Sequence, residues 1–178
     1  MRTITFSRLS TQNFAEDSLD DFIRHQEVKE CWRKVGEGYA LVPNEYVEDW
    51  DVAKCRKIAQ TILRGMDGTG FAYGAFWEEK VIGYIYLSTK CFGSENQYIE
   101  LQLFHISEPF RRKGIGKELF RLACEEAGRI GAGKLYISAH SSKESQEAYR
   151  KLGCTDAIEI NQKIAQDEPF DIQMEYSL

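Results

Sequence analysis

One stretch of the sequence, residues 98–139, constrains the fold more than any other. It reads as a strand, a basic turn that contains glycines, an amphipathic helix and a second strand. Two strands joined through a helix pair in parallel by a right-handed crossover, and the helix packs on one face of the sheet. The stretch therefore predicts a parallel strand pair covered by a helix whose inward positions are Leu119, Leu122, Ala123, Ala127 and Ile130.

The sequence on either side of this stretch predicts antiparallel strands and further helices. Two aromatic-rich runs flank Glu78, Glu79 and Lys80, which is typical of a β-hairpin. The fold class expected is α/β, a mixed and mostly antiparallel sheet with helices on both faces, in a single domain over residues 1–178. We expect a first strand at 3–9, helices at 18–25, 51–65 and 142–153, an irregular segment at 28–50, and a closing antiparallel strand pair at 156–162 and 170–178.

The charge of the chain excludes some classes of partner. Its 178 residues carry 23 Lys and Arg against 28 Asp and Glu, a net charge of -5. A general nucleic-acid binder needs a broad basic face, so no nucleic-acid partner is predicted. No apolar run reaches the roughly 18 residues of a membrane helix, and the N-terminal sequence lacks the apolar core of a signal peptide. No membrane partner is therefore predicted either.

The cysteine and histidine patterns bear on the cellular compartment and on metal binding. The five cysteines are widely spaced and form no C-x-x-C pair. This pattern favours neither a disulfide framework nor a zinc site, and it suits a reducing cytoplasm. His25, His105 and His140 do not form a metal pattern, so no metal is predicted.

The basic turn at 111–117, RRKGIGK, is a candidate anion site. A helix N-terminus exposes unpaired N–H groups, and glycines allow close approach to them. In isolation such a turn is better explained as solvated surface charge. It is not a P-loop, because Arg111 stands where the first glycine is required and Glu118 follows Lys117. It is not the dinucleotide fingerprint, because Leu119 replaces the third glycine.

The pattern that does fit is R-x-x-G-x-G at the end of a strand, filled by Arg111, Gly114 and Gly116. With it the sequence resembles the GNAT superfamily of acyl-CoA-dependent N-acetyltransferases, whose strand leads through a proline into R-g-k-G-I-G. A second motif, SKESQEAYRKLGC, is similar to the family's N-x-x-A-x-x-x-Y-x-K-L-G-F. The resemblance covers roughly residues 70–178. The second motif matches at Tyr149, Lys151, Leu152 and Gly153 and departs at Ser142, Ser145 and Cys154.

The resemblance implies a fold feature and a cosubstrate, acetyl-CoA. In the family the central parallel strands splay apart, the pantetheine arm lies in the gap, and the loop amides hold the pyrophosphate. The splay also leaves a strand amide free to stabilise the thioester oxygen. The cofactor-binding residues implied are His105, Ile106, Arg111, Arg112, Lys113, Gly114, Ile115, Gly116, Lys117 and Ser142.

The resemblance also implies direct acetyl transfer to a primary amine in a ternary complex, with two catalytic residues. Glu100 is the implied base, since an amine with a pKa of about 10.4 must lose a proton before it attacks. Tyr149 matches the family's usual acid, which protonates the leaving thiolate. Glu100 can instead be a solvated strand residue or ion-pair partner, and Tyr149 can instead be core packing.

The amine acceptor is not fixed by the sequence. Residues 28–51 are rich in acidic and aromatic side chains, which suits a cationic small molecule or peptide amine, although a solvated loop explains them equally. A polyamine, an aminoglycoside-like drug, a free amino acid and a protein amine all stay open, and so does a homodimer. The alternative function is a non-catalytic acyl-CoA sensor or interaction module.

Overall fold

A computed structural model of the protein describes residues 3–178. Two β-sheets and four α-helices account for most of its regular structure. The strands are β1 Thr5–Arg8, β2 His25–Val35, β3 Gly38–Asp49, β4 Gly70–Trp77, β5 Lys80–Ser88, β6 Tyr98–Ile106, β7 Lys134–Ala139, β8 Thr155–Asp156 and β9 Ile172–Ser177. The helices are α1 Val52–Gly65, α2 Ile115–Arg129, α3 Lys143–Lys151 and α4 Gln162–Asp167.

The main sheet has seven strands in the order β1-β4-β5-β6-β7-β9-β8. Every neighbouring pair in it is antiparallel except β6 and β7, which are parallel. This arrangement confirms the mixed, mostly antiparallel α/β class and the parallel pair predicted from the strand–helix–strand stretch.

The two faces of the main sheet are covered by different helices. Alternation along β5 sends Tyr84 and Tyr86 to one face and Ile85 and Leu87 to the other. The two tyrosines pack into a buried cluster with α1, and the two aliphatic residues pack into a second cluster with α2. We call these the α1 face and the α2 face. Helices therefore lie on both faces, as predicted.

The parallel pair is short and its strands diverge. Pairing between β6 and β7 begins at Tyr98 and Lys134 and ends at Leu101 and Ile137. Beyond this point β6 continues to Ile106 with no partner on the β7 side. A bulge in the pairing with β5 follows Leu101, and bulges bend and twist the strand that carries them. The central pair is therefore splayed, with its gap near the loop that starts α2.

The N-caps of α1 and α2 are defined by the structure. At α1 the carboxylate of Asp51 accepts a hydrogen bond of 2.7 Å from the Lys54 N–H, so Asp51 is the N-cap. At α2 the N-cap is Gly114, in the left-handed region at φ 81°.

No helix within residues 3–178 is long and apolar enough to cross a membrane.

The prediction of a helix at 18–25 is wrong. Residues 11–13 and 16–21 form turns instead, and β2 already begins at His25. The Ser18 hydroxyl accepts from the Ala15 N–H, so it does not cap a following helix. The turns are held by short backbone bonds such as Phe22 N–H to Leu19 O at 3.0 Å. They bury Leu19 and Phe22 beside α1, which shows tertiary packing overriding a local helix signal.

The prediction of an irregular segment at 28–50 is also wrong. Strands β2 and β3 form a long antiparallel hairpin around a turn at Gly36, whose φ is 61°. A bulge between Val28 and Glu30 interrupts the alternation of buried and exposed residues, which hides the strand pattern in the sequence.

The prediction of a closing strand pair is confirmed only for its second strand. Residues 172–177 form β9, which pairs antiparallel with β7 and β8. The predicted strand at 156–162 is reduced to the two residues of β8, and α4 starts at Gln162. The Asn161 side chain accepts from the Ile164 N–H at 3.2 Å, so it caps α4 and ends the extended chain.

Candidate active site

The loop between β6 and α2 presents a run of free backbone N–H groups. None of the amides of residues 112–117 donates a hydrogen bond within residues 3–178, and the first that does is Glu118, to Gly114 O at 3.2 Å. Arg112 and Gly114 both have positive φ, 61° and 81°, which curls the loop around these amides. Curled amides at the positive end of a helix dipole form an anion cradle. The exposed side chains of Arg112, Lys113 and Lys117 add positive charge.

Arg111 plays a different part from its basic neighbours. Its Nε donates to Ile106 O at 3.1 Å, and its Nη1 donates to His25 O at 2.7 Å. Burial and the nearby Arg24 lower the pKa of this guanidinium. Arg111 therefore ties the end of β6 to the start of β2, and it anchors the loop rather than extending from it.

Replacing Arg111 with glutamine should destabilise the protein. Two partly buried carbonyl oxygens lose their donors, and each unsatisfied group costs about 1–3 kcal/mol. We expect the free energy of unfolding in urea to fall by a few kcal/mol. Arg112→Gln is the matched control, because that side chain is exposed, and it should leave the unfolding free energy nearly unchanged. Equal stability of the two variants would contradict the anchoring role.

The gap between β6 and β7 is lined by backbone groups of β6. The Ser107 N–H donates to Ile82 O at 2.9 Å, so residues 105 and 103 also direct their backbone groups toward β5. Alternation then directs the N–H and C=O groups of Phe104 and Ile106 into the gap. Sequence reasoning named Ile106 at this position and missed Phe104.

Glu100 lies on the α1 face of β6, just before the splay. It is half-buried, opposite Tyr136 on β7, and its Oε2 accepts from Gln102 Nε2 at 3.0 Å. Tyr98 shares its face and packs edge-on against Tyr136, with ring centroids 5.5 Å apart. Glu100 thus has an aromatic wall on one side, and its only hydrogen-bond partner within residues 3–178 is a neutral amide.

Tyr149 lies on α3 and packs on the opposite, α2 face. Its ring lies 6.3 Å from that of Phe104, a residue whose backbone faces the gap. Burial, then nearby Cys154 and Asp171, raise the pKa of Tyr149 well above its ordinary value. Its hydroxyl has no hydrogen-bond partner in the described part of the chain. Tyr149 is therefore a protonated donor with a free hydroxyl.

Ser142 and His105 are held by other contacts. Ser142 is fully buried and caps α3, with its Oγ accepting from Ser145 N–H at 3.3 Å and Gln26 Nε2 at 3.2 Å. His105 faces α1, its ring 4.7 Å from Trp50 and 5.7 Å from Tyr84. Burial, with Arg24 and Arg111 nearby, lowers the pKa of His105 to about 3, so the ring is neutral. Their assignment as cofactor-binding residues stays a prediction.

The β2–β3 hairpin packs against the start of α3, a contact that sequence reasoning missed. The Trp32 N–H donates to Ser141 O at 2.8 Å, and Tyr46 Oη lies 2.9 Å from His140 Nε2. Lys143 forms a salt bridge of 3.1 Å with Glu30. The hairpin therefore borders the site beside the end of β7.

Within residues 3–178, no three His, Cys, Asp or Glu side chains come together as a metal site would require.

A comparison with protein-family models identifies the family of the chain. The model of the acetyltransferase (GNAT) family matches residues 27–154, well over half of the chain. The chain therefore belongs to the GNAT acetyltransferase family. The match includes the β2–β3 hairpin, the basic loop and Tyr149, so the resemblance seen in the sequence is confirmed at the level of the family.

Comparison with solved structures finds the same fold over the whole chain. A nourseothricin acetyltransferase is 15% identical with a TM-score of 0.71, covering 98% of each chain. A putative streptothricin acetyltransferase from Bacillus anthracis str. Ames, in complex with acetyl coenzyme A, is 15% identical with a TM-score of 0.69, covering 99% of each chain. At such identities the likeness concerns the fold. A search of curated proteins finds no match.

Proposed function

We propose that the protein is an N-acetyltransferase that moves an acetyl group from acetyl-CoA to a primary amine by direct attack in a ternary complex. The observation that carries the proposal is the run of free amides at 112–117, placed at the mouth of the gap between β6 and β7. Acetyl-CoA supplies the acetyl group as a thioester, with a pyrophosphate at a distance along its flexible arm. An anion cradle beside an open strand edge suits both parts of such a molecule.

The residues around the gap fit acetyl-CoA. The amides of 112–117 would hold its pyrophosphate, with Arg112, Lys113 and Lys117 adding charge attraction. The backbone groups of Phe104 and the N–H of Ile106 would bind the amide-containing arm as a neighbouring strand does, while the Ile106 carbonyl accepts from Arg111. The Tyr149 hydroxyl, free and protonated, would donate a proton or a hydrogen bond to the leaving sulfur.

Glu100 is the proposed base for the amine. It lies on the α1 face while Tyr149 lies on the α2 face, so the two groups approach the gap from opposite sides. An amine that enters from the α1 face would meet Glu100 before the thioester. The hydrogen bond from Gln102 orients the carboxylate without neutralising it.

Two measurements test the proposal in order. Calorimetry should show acetyl-CoA binding in the micromolar range, and absence of binding would overturn the enzyme assignment. A panel of amines, followed by release of free CoA thiol, should then identify acceptors. Binding without thiol release for every amine class would favour an acyl-CoA sensor instead.

Glu100→Gln should lower the rate in a pH-dependent manner. The variant depends on amine that is already neutral, which is scarce below the amine pKa of about 10.4. We expect kcat/KM near pH 7 to fall about 100-fold or more, and the deficit to narrow as pH rises. The exposed Glu95→Gln is the control and should behave as wild type at every pH. A deficit that is constant with pH would indicate a positioning role for Glu100.

A further inference from the structure

Three side chains on the α1 face of β7 and β9 form a hydrogen-bonded chain that the proposed mechanism does not use. Gln173 Nε2 donates to Ser138 Oγ at 3.0 Å, and Ser138 Oγ donates to Asp171 Oδ2 at 3.0 Å. The direction is fixed because an ionised carboxylate can only accept. Ser138 and Gln173 are partners in the β7–β9 register, so they lie side by side on one face.

Two of these three side chains carry acceptor atoms that the protein leaves short of hydrogen-bond donors. Gln173 is 8% exposed, and its Oε1 is buried with no partner in the structure. Asp171 is half-buried, and within residues 3–178 it has no salt bridge and no hydrogen-bond donor other than Ser138. Buried acceptors without donors are costly, and such exceptions in a native structure call for a ligand or water. A ligand that fits them must donate N–H or O–H bonds, and the carboxylate favours a cation.

The side chains of Ser138, Asp171 and Gln173 lie close to the proposed reaction centre. Glu100 is opposite Tyr136, and Ser138 is two residues further along β7 on the same face, roughly 7 Å along the strand. Asp171 is also near enough to Tyr149 to contribute to the raised pKa of that hydroxyl. The three side chains therefore flank the route by which an amine reaches the gap from the α1 face.

We propose that Ser138, Asp171 and Gln173 form a subsite that binds a second cationic group of the acceptor, so that the preferred acceptor is a diamine. The proposal rests on the proposed function, because Glu100 takes the amine that reacts. The Asp171 carboxylate binds the second ammonium, and Gln173 Oε1 accepts another of its N–H bonds. Ser138 holds the two acceptors at a fixed separation.

Cadaverine and pentylamine, which have the same carbon chain and two or one ammonium groups, are the probes. Wild-type protein should use cadaverine with a kcat/KM at least about tenfold higher, since a charged hydrogen bond contributes that much or more. Asp171→Asn and Gln173→Met should each raise the KM for cadaverine and leave the KM for pentylamine unchanged. Asp167→Asn, which removes an exposed charge nearby, is the control and should keep the preference. Acetyl-CoA affinity should be equal in all variants, which also shows that they fold.

Binding of the two probes to the CoA-saturated protein separates this proposal from the proposed function. Asp171-dependent binding of cadaverine without turnover would support the subsite and refute the transferase activity. Turnover of both amines with equal kcat/KM in wild type would support the transferase and overturn the subsite. A preference for cadaverine that survives both Asp171→Asn and Gln173→Met would overturn it as well.

Discussion

Tyr149→Phe is expected to lower kcat at least tenfold while acetyl-CoA affinity stays at the wild-type value. General acid help contributes about 100- to 10,000-fold, and the substitution removes only the hydroxyl that would give it. That hydroxyl makes no hydrogen bond within residues 3–178, so its loss breaks no structural contact. The ring keeps its packing against Phe104, which preserves the wall of the gap. Steady-state rates at saturating amine, together with calorimetry of acetyl-CoA, measure the two quantities.

Tyr176→Phe is the matched control for this experiment. Tyr176 is another half-buried tyrosine on the α2 face, and its ring packs edge-on against Phe120 at 5.0 Å. It lies opposite Leu135, in the part of β7 that is still paired with β6. It should retain the wild-type kcat. If Tyr149→Phe also turned over at the wild-type rate, Tyr149 would have no chemical role and its ring would be core packing alone.

The parts of the fold that could be predicted are those whose signal is local. The β4–β5 hairpin turns at Glu78 and Glu79, both with positive φ, and the aromatic runs around them are enough to predict it. The same holds for the β6–α2–β7 unit, because the helix period, the glycines and the flanking strands all lie within residues 98–139. Such a unit is predictable because its helix period, its turn residues and its strand pattern all favour the same structure.

The parts that could not be predicted depend on contacts distant in sequence. Strand β2 is bulged, and Cys31 forms a bridge with Ser142, so part of its environment comes from residues more than a hundred positions later. The same limit applies to the site. The basic loop and Tyr149 stand within motifs, whereas the chain from Gln173 through Ser138 to Asp171 joins two strands that only the sheet register brings together.

Gly114→Val is expected to raise the Kd for acetyl-CoA about 10- to 100-fold. Gly114 has φ 81°, which a β-branched residue adopts only at a cost of about 1–3 kcal/mol, and each 1.4 kcal/mol corresponds to a factor of ten in affinity. A Cβ at this position meets no protein atom within 4 Å, so the core is not disturbed. The changed loop would turn its amides away, and the side chain would occupy space that a phosphate needs.

Two comparisons isolate the cradle as the cause. Gly128→Val places the same residue in α2 at a glycine with ordinary φ and open surroundings, and it should bind acetyl-CoA as wild type does. S-acetyl-N-acetylcysteamine carries the thioester without a pyrophosphate, so Gly114→Val should use it as well as the wild-type protein. Equal loss with both acyl donors would mean that the substitution damages the gap itself. Unchanged acetyl-CoA affinity would mean that the pyrophosphate binds elsewhere, because a cradle of free amides cannot keep its affinity once its central glycine is strained.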